Sequence, residues 1–165
     1  MPTSTSKYQY ITCDPQKCVG CQLCEYVCSF TKTGAFNTYR SRIRTVRVQE
    51  ILITAVACRT CENAPCVIAC PREALSQDRE TGVIRVDEAR CDGCAWCVEA
   101  CDFGAISINP ATKRAEMCDL CGTLEDGPQC VKWCPKEALE LTTPDQQAQK
   151  ARHDLVKEEV IGSGS

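Results

Sequence analysis

Two stretches, Cys58-Arg-Thr-Cys61-Glu-Asn-Ala-Pro-Cys66-Val-Ile-Ala-Cys70-Pro71 and Cys91-Asp-Gly-Cys94-Ala-Trp-Cys97-Val-Glu-Ala-Cys101, decide how this chain is organised. The first spaces its cysteines C-x2-C-x4-C-x3-C-P and the second C-x2-C-x2-C-x3-C. Each spacing occurs once more. Cys18, Cys21, Cys24 and Cys28 repeat the second, and Cys118, Cys121, Cys130 and Cys134 repeat the first with a longer gap, ending in Pro135. Of 17 cysteines only Cys13 stands outside these four groups.

More than cysteine repeats. Asp14 and Asp87 each lie four residues before the first cysteine of a group, and Gly20 and Gly93 each precede a second cysteine. A Cys-x3-Ala-Leu/Ile ending recurs at Cys70–Leu75, Cys101–Ile106 and Cys134–Leu139, whereas group one has Lys32-Thr33 there and runs into an insertion. Residues 14–76 are thus answered by 87–140, an internal duplication with an extra segment at 31–57. Ala74–Ser76 with Val83–Val86, and Ala105–Ile108 with Lys113–Met117, predict two short hairpins. The insertion adds β-branched runs at Arg42–Val48 and Ile51–Val56.

In a chain of 165 residues with 5% aromatics the hydrocarbon core is thin, and one residue in ten is cysteine. Such density means a disulfide framework outside the cell or metal sites inside it. The first seven residues read as no signal peptide, and no run approaches the roughly 18 apolar residues of a membrane span, so the expected location is cytoplasmic. Thiols stay reduced there, which favours metal. The spacing names the metal: thiolates hold iron–sulfur clusters, and C-x2-C-x2-C-x3-C is a run that does so. Third and fourth cysteines at i and i+4 sit on one helical face, letting a short helix serve two neighbouring clusters. Zinc is the rival for C-x2-C pairs, but it leaves the third and fourth cysteines unexplained. Four loaded clusters would take the formal charge of −3 to roughly −11, which argues against nucleic acid as a partner.

Groups two and four resemble the electron-transfer subunits of the dimethyl sulfoxide reductase and formate dehydrogenase families. They also resemble the small iron–sulfur subunits of carbon monoxide dehydrogenase and of tungsten aldehyde oxidoreductases. Across residues 8–142 the resemblance implies an α+β fold of two tandem ferredoxin-like modules with pseudo-two-fold symmetry, stabilised by four [4Fe–4S] clusters. It implies that one cluster takes Cys18, Cys21, Cys24 and Cys134, and its neighbour Cys118, Cys121, Cys130 and Cys28. A third takes Cys58, Cys61, Cys66 and Cys101, and the fourth Cys91, Cys94, Cys97 and Cys70. Ser29 and Asp102 depart from the proline that often follows the last cysteine, so those helices are expected to end differently.

No catalytic residue is predicted. The implied function is single-electron relay between a catalytic oxidoreductase subunit, best matched by a tungsten or molybdenum pterin aldehyde oxidoreductase, and an acceptor flavoprotein, ferredoxin or hydrogenase-type subunit. A freely diffusing polyferredoxin is the alternative, as is the wire subunit of a formate dehydrogenase, carbon monoxide dehydrogenase or hydrogenase complex. Stacked copies could extend the wire.

Four lesser signals complete the reading. Cys13 is expected to be inert and His153 solvated. Arg40, Arg42 and Arg44 are expected on one face of a strand, either solvated or as a basic dock, and Trp96 and Trp133 to shield clusters from water. Residues 143–165 form a polar tail, with Thr143 as N-cap, Pro144 at N1, Gln146 completing a capping box, a helix to Val160 and flexible residues from Gly162.

Overall fold

Strands of three to five residues cannot stand alone, and here they pair as four antiparallel ribbons joined by cysteine-bearing loops. The computed structural model describes residues 8–49 and 51–161. In chain order the elements are β1 (Tyr10–Cys13), α1 (Leu23–Thr33), a 3-10 turn (Thr38–Arg40), β2 (Arg44–Val48), β3 (Leu52–Val56), α2 (Pro65–Ile68), β4 (Leu75–Gln77), β5 (Ile84–Val86), α3 (Trp96–Glu99), β6 (Ile106–Ile108), β7 (Ala115–Met117), α4 (Gln129–Lys132), β8 (Leu139–Thr142) and α5 (Pro144–Ile161). Both predicted hairpins form, with Leu75 opposite Val86 and Ile106 opposite Met117. The insertion makes a third, with Arg44 opposite Val56. The fourth ribbon joins the ends of the fold, setting Tyr10 against Thr142 and Cys13 against Leu139.

The core is as much thiol as hydrocarbon. Ile11, Ile43, Leu75, Ile84, Ile106, Met117 and Leu139 form one buried cluster with Cys28, Cys58, Cys66, Cys97, Cys118 and Cys130. Filling so small a core leaves stability to whatever the thiols bind.

Two aspartates lock the repeat. Asp14 accepts from the Cys18 N–H on its carbonyl (3.0 Å) and from the Gln16 N–H on its carboxylate (2.9 Å); Asp87 does the same with Cys91 (3.0 Å) and Ala89 (2.9 Å). These are Asx turns, in which a short carboxylate replaces a missing backbone partner. The Asp14 N–H in turn donates to Ala138 O (2.8 Å) and the Asp87 N–H to Ala74 O (2.7 Å), tying the start of group one to the end of group four and the start of three to the end of two.

The tail follows its capping signature. Thr143 N–H donates to Gln146 Oε1 (3.1 Å) and Gln146 N–H to Thr143 Oγ1 (3.3 Å), with Pro144 opening α5. Lys150 on α5 pairs with Glu140 of β8 at 2.7 Å. The predicted flexible residues from Gly162 lie outside the described residues.

Candidate metal centres

Each cysteine group winds through the same backbone device. The residue before the second cysteine takes a left-handed conformation in all four: Gly20 (φ 67°), Thr60 (47°), Gly93 (74°) and Leu120 (56°). Groups one and three add a second left-handed residue, Gln22 (61°) and Ala95 (66°), directly before their helices. Non-glycine residues resist this region, so its recurrence marks a loop bent around an occupant.

Three cavities collect thiols across group boundaries. Cys18, Cys21, Cys24 and Cys134 line one, Cys58, Cys61, Cys66 and Cys101 a second, and Cys70, Cys91, Cys94 and Cys97 a third. The remaining four meet as well. Burial pushes the Cys118 thiol up to about 12, with Cys28 and Cys58 adding like charge; burial also raises Cys130, with Cys118, Cys28, Cys121 and Cys24 adding theirs. Burial likewise lifts Cys24 and Cys66 to about 11. Thiols so raised stay protonated at neutral pH unless a metal draws the proton off.

The donor set fits cubane clusters better than single ions. Among the described residues, no three Cys, His, Asp or Glu side chains converge closely enough to hold one ion. A zinc ion needs its sulfurs about 2.3 Å from one point, whereas thiols spread round a cavity wall suit a cage. One backbone N–H also meets the fourth cysteine of every group. Ala74 donates to Cys70 Sγ (3.3 Å), Ala105 to Cys101 Sγ (3.5 Å), Ala138 to Cys134 Sγ (3.3 Å) and Arg42 to Cys28 Sγ (3.3 Å). This gives the Cys-x3-Ala ending its reason: the alanine, buried in all three cases, turns its N–H back onto the thiol.

The helices differ from expectation in reach. Only α1 contains both its third and fourth cysteines; α2, α3 and α4 are four residues long and stop before Cys70, Cys101 and Cys134. Asp102 does not change its turn, since Gly104 N–H donates to Cys101 O (3.1 Å) just as Glu73 and Glu137 do after Pro71 and Pro135 (3.1 Å each). Ser29 does change its helix. Without proline α1 continues to Thr33, and the fully buried Ser29 hydroxyl donates to Tyr26 O (2.9 Å) and accepts from Asn37 N–H (3.2 Å).

Two further expectations are corrected. Arg40, Arg42 and Arg44 do not share a strand face: Arg40 ends a 3-10 turn, Arg42 lies in the following loop and only Arg44 enters β2. Arg44 bonds back to Thr38 O and Tyr39 O, and Arg42 pairs with Asp119 at 3.0 Å. Trp96 and Trp133 are 62% and 59% exposed, too open to screen a cluster. Cys13 packs half-buried against the core. His153 is solvent-exposed, 3.7 Å from Asp154.

Sequence reasoning missed two acids. Glu25, 4% exposed beside Cys24, accepts from Thr45 N–H at 2.6 Å. Asp119, between Cys118 and Cys121, accepts from Lys32 Nζ (2.7 Å) and from Cys121 N–H (3.1 Å). The repeated Asp after a first cysteine, at 92 and 119, was the available signal.

Cavities walled by thiols and backbone amides aimed at sulfur define an iron–sulfur protein. Residues 49–143 match the family described as 4Fe-4S dicluster domain, and the chain belongs to it. It is 36% identical over 153 residues to the electron transport protein HydN of Escherichia coli K12, covering 79% of this chain and 86% of that one. It is 39% identical over 138 residues to the polyferredoxin-like subunit of an aliphatic sulfonate oxidoreductase from Pyrococcus furiosus (81% and 78% covered). It is 35% identical over 144 residues to the thiosulfate reductase electron transfer subunit PhsB of Salmonella typhi (81% and 74% covered). The chain is therefore a small α+β ferredoxin-like electron-transfer protein rather than a catalyst, and its grouped cysteines fit four [4Fe–4S] clusters. No helix among the described residues is long and apolar enough to cross a membrane.

Proposed function

We propose that this chain is the cytoplasmic wire subunit of an oxidoreductase complex, relaying single electrons between a catalytic subunit and an acceptor subunit or carrier. Two tandem modules within residues 8–142 hold the clusters, and the insertion at 31–57 and helix α5 grip the partners. The ligand sets are Cys18, Cys21, Cys24 with Cys134; Cys118, Cys121, Cys130 with Cys28; Cys58, Cys61, Cys66 with Cys101; and Cys91, Cys94, Cys97 with Cys70. The observation that carries this is the lining of three separate cavities by three thiols of one group and the fourth of another.

When bound, [4Fe–4S] clusters supply one-electron redox chemistry over a wide span of potential. The protein's own residues hold them in order. Cys130 lies near Cys24, and Cys118 near Cys58, so the second ligand set stands between the first and the third. Cys21 and Cys94, in the first and last sets, are exposed, while Cys58, Cys66, Cys118, Cys121 and Cys130 of the middle sets are buried. Entry and exit at the two ends follow from that contrast.

The names of the relatives support a subunit role, and resemblance in groups two and four supports a tungsten or molybdenum pterin aldehyde oxidoreductase as the catalytic partner. Natively extracted protein should elute in a complex; a lone 18.2 kDa species would make it a free polyferredoxin. The pairing is tested separately, by electron paramagnetic resonance of anaerobically prepared variants. Cys18→Ser and Cys134→Ser should perturb one signal, and Cys118→Ser and Cys28→Ser another. Cys134→Ser altering the signal that Cys118→Ser alters would refute it.

A further inference from the structure

The fourth cysteine of group one is served differently from the other three. Cys70, Cys101 and Cys134 each receive an N–H from the residue four positions on, Ala74, Ala105 and Ala138. The residue four after Cys28 is Lys32, which lies inside α1, where its N–H is committed to the helix. The donor to Cys28 Sγ comes instead from Arg42, fourteen residues on, at 3.3 Å. A local turn holds the first three donors. Something else must hold the fourth.

The loop around Arg42 shows what does. Lys32 Nζ reaches both oxygens of Asp119 (2.7 and 2.8 Å), and Arg42 Nη1 reaches Oδ2 (3.0 Å), so one carboxylate ties the end of α1, the insertion and the group-four loop together. Arg42 Nε is buried without a partner among the described residues, and Nη1 ties the guanidinium to Asp119. On the far side, Ser41 Oγ donates to Ile43 O (2.7 Å) and accepts from Ile43 N–H (3.2 Å), fixing the turn in which Arg42 stands.

We propose that Lys32, Asp119 and Arg42 are positioning residues that hold the Arg42 amide on the Cys28 sulfur and thereby raise the reduction potential of the cluster bound by Cys118, Cys121, Cys130 and Cys28. This rests on the ligand sets given above. An N–H aimed at a ligating sulfur favours the more negative, reduced state. Here that donor depends on an ion pair spanning 77 residues of sequence. Anything that displaces Arg42, a docked partner included, then acts on the potential of the cluster that Cys28 serves.

The repeat supplies its own control. Asp92 stands at the same place between Cys91 and Cys94, accepts from Cys94 N–H (3.2 Å) and pairs with Arg72 (2.7 Å), yet Cys70 of that set has its local donor in Ala74. Removing either carboxylate's charge raises the nearby potential through space. Only at position 119 does it also release a sulfur donor. The anaerobically loaded protein is titrated electrochemically under electron paramagnetic resonance, as wild type, Asp92→Asn, Asp119→Asn and Arg42→Lys. The wild type must first show four one-electron waves and roughly sixteen irons; failure there sinks the ligand sets rather than this device. Asp119→Asn should move one wave less positive than Asp92→Asn moves its own, or negative outright, with faster deuterium exchange at the Arg42 amide. Arg42→Lys keeps the charge and loses the guanidinium, so it should move the same wave negative even if Asp119→Asn does not load. An upward shift in Asp119→Asn as large as that in Asp92→Asn, or no shift in Arg42→Lys, overturns the proposal.

Discussion

Adding one methyl group at Gly93 should damage this fold more than the same change at Gly20 or Gly104. All three glycines have left-handed φ (74°, 67° and 60°), so each alanine pays backbone strain of about 1 kcal/mol. Their surroundings then separate them. Around Gly104 nothing lies within 4 Å of the new Cβ. At Gly20 the Cβ meets side-chain ends, Ile53 Cγ2 at 2.9 Å and Arg47 Nη2 at 3.0 Å, which can rotate away. At Gly93 it meets backbone, Lys113 O at 2.4 Å. That carbonyl belongs to a stiff turn: Lys113 N–H donates to Asn109 O (2.8 Å), and buried Asn109 Oδ1 accepts from Ala111 (2.9 Å) and Thr112 (3.3 Å). Overpacking that cannot relax costs about 1–3 kcal/mol more. With about 2 kcal/mol separating Gly93→Ala from Gly104→Ala, cluster loss should be about 30-fold faster in the former. The assay is anaerobic bleaching of visible absorbance in guanidinium, read as a rate because cluster loss is irreversible. Gly93→Ala bleaching no faster than Gly20→Ala would show that the turn at Lys113 yields, and the reasoning fails.

Other outcomes follow from the same contacts. Burial pushes the Asp119 carboxyl up, but Lys32 and Arg42 together hold it below the usual carboxylate range. Its contribution is therefore full above the unfolded value of about 3.9 and is lost as pH falls through the lower folded value. Wild type should lose its bleaching-rate advantage over Asp119→Asn on acidification below about pH 4, and a ratio that stays constant from about pH 5 down to about pH 2.5 would contradict this. Gln146→Ala removes half of the capping box and should weaken the start of α5 by about 1 kcal/mol, seen as faster deuterium exchange at Gln147 with cluster content unchanged. Burial raises the Cys24 and Cys66 thiols to about 11 and Cys118 to about 12, so loading must expel their protons. In vitro reconstitution should quicken as pH rises from about 6 to 8, and a flat profile would mean that deprotonation is not limiting.

What was legible in the residues was whatever the chain encodes over a few positions. The capping box at Thr143 closes within three residues and forms where the residues place it, and the aspartates at 14 and 87, visible in the residues only as a repeat, close their turns within four. The reason for the recurring alanine was invisible, because an N–H aimed at sulfur leaves no mark on the side chain. The arginines were misplaced because a period of two was read back through Arg40, where Asn37 Oδ1 accepts from Tyr39 N–H (3.1 Å) and caps a 3-10 turn instead. Trp96 opens a four-residue helix too short to roll it inward. The Arg42–Asp119 contact joins residues 77 apart, and no local pattern announces a partner at that range.

The pairing of β1 with β8 sets a timetable for synthesis. With the ligand sets proposed above, a ribosome adding about 5–20 residues per second releases Cys58 to Cys101 in one continuous stretch, and with it every ligand of the third and fourth sets. On the same assignment Cys18, Cys21 and Cys24 emerge first yet wait for Cys134, and the β1 edge stays bare until Leu139–Thr142 arrives. Iron delivered early therefore finds a finished home only in the interior of the polypeptide. The amino-terminal thiols spend that interval unclaimed, exposed to oxidation and to stray metals until the last ribbon shuts.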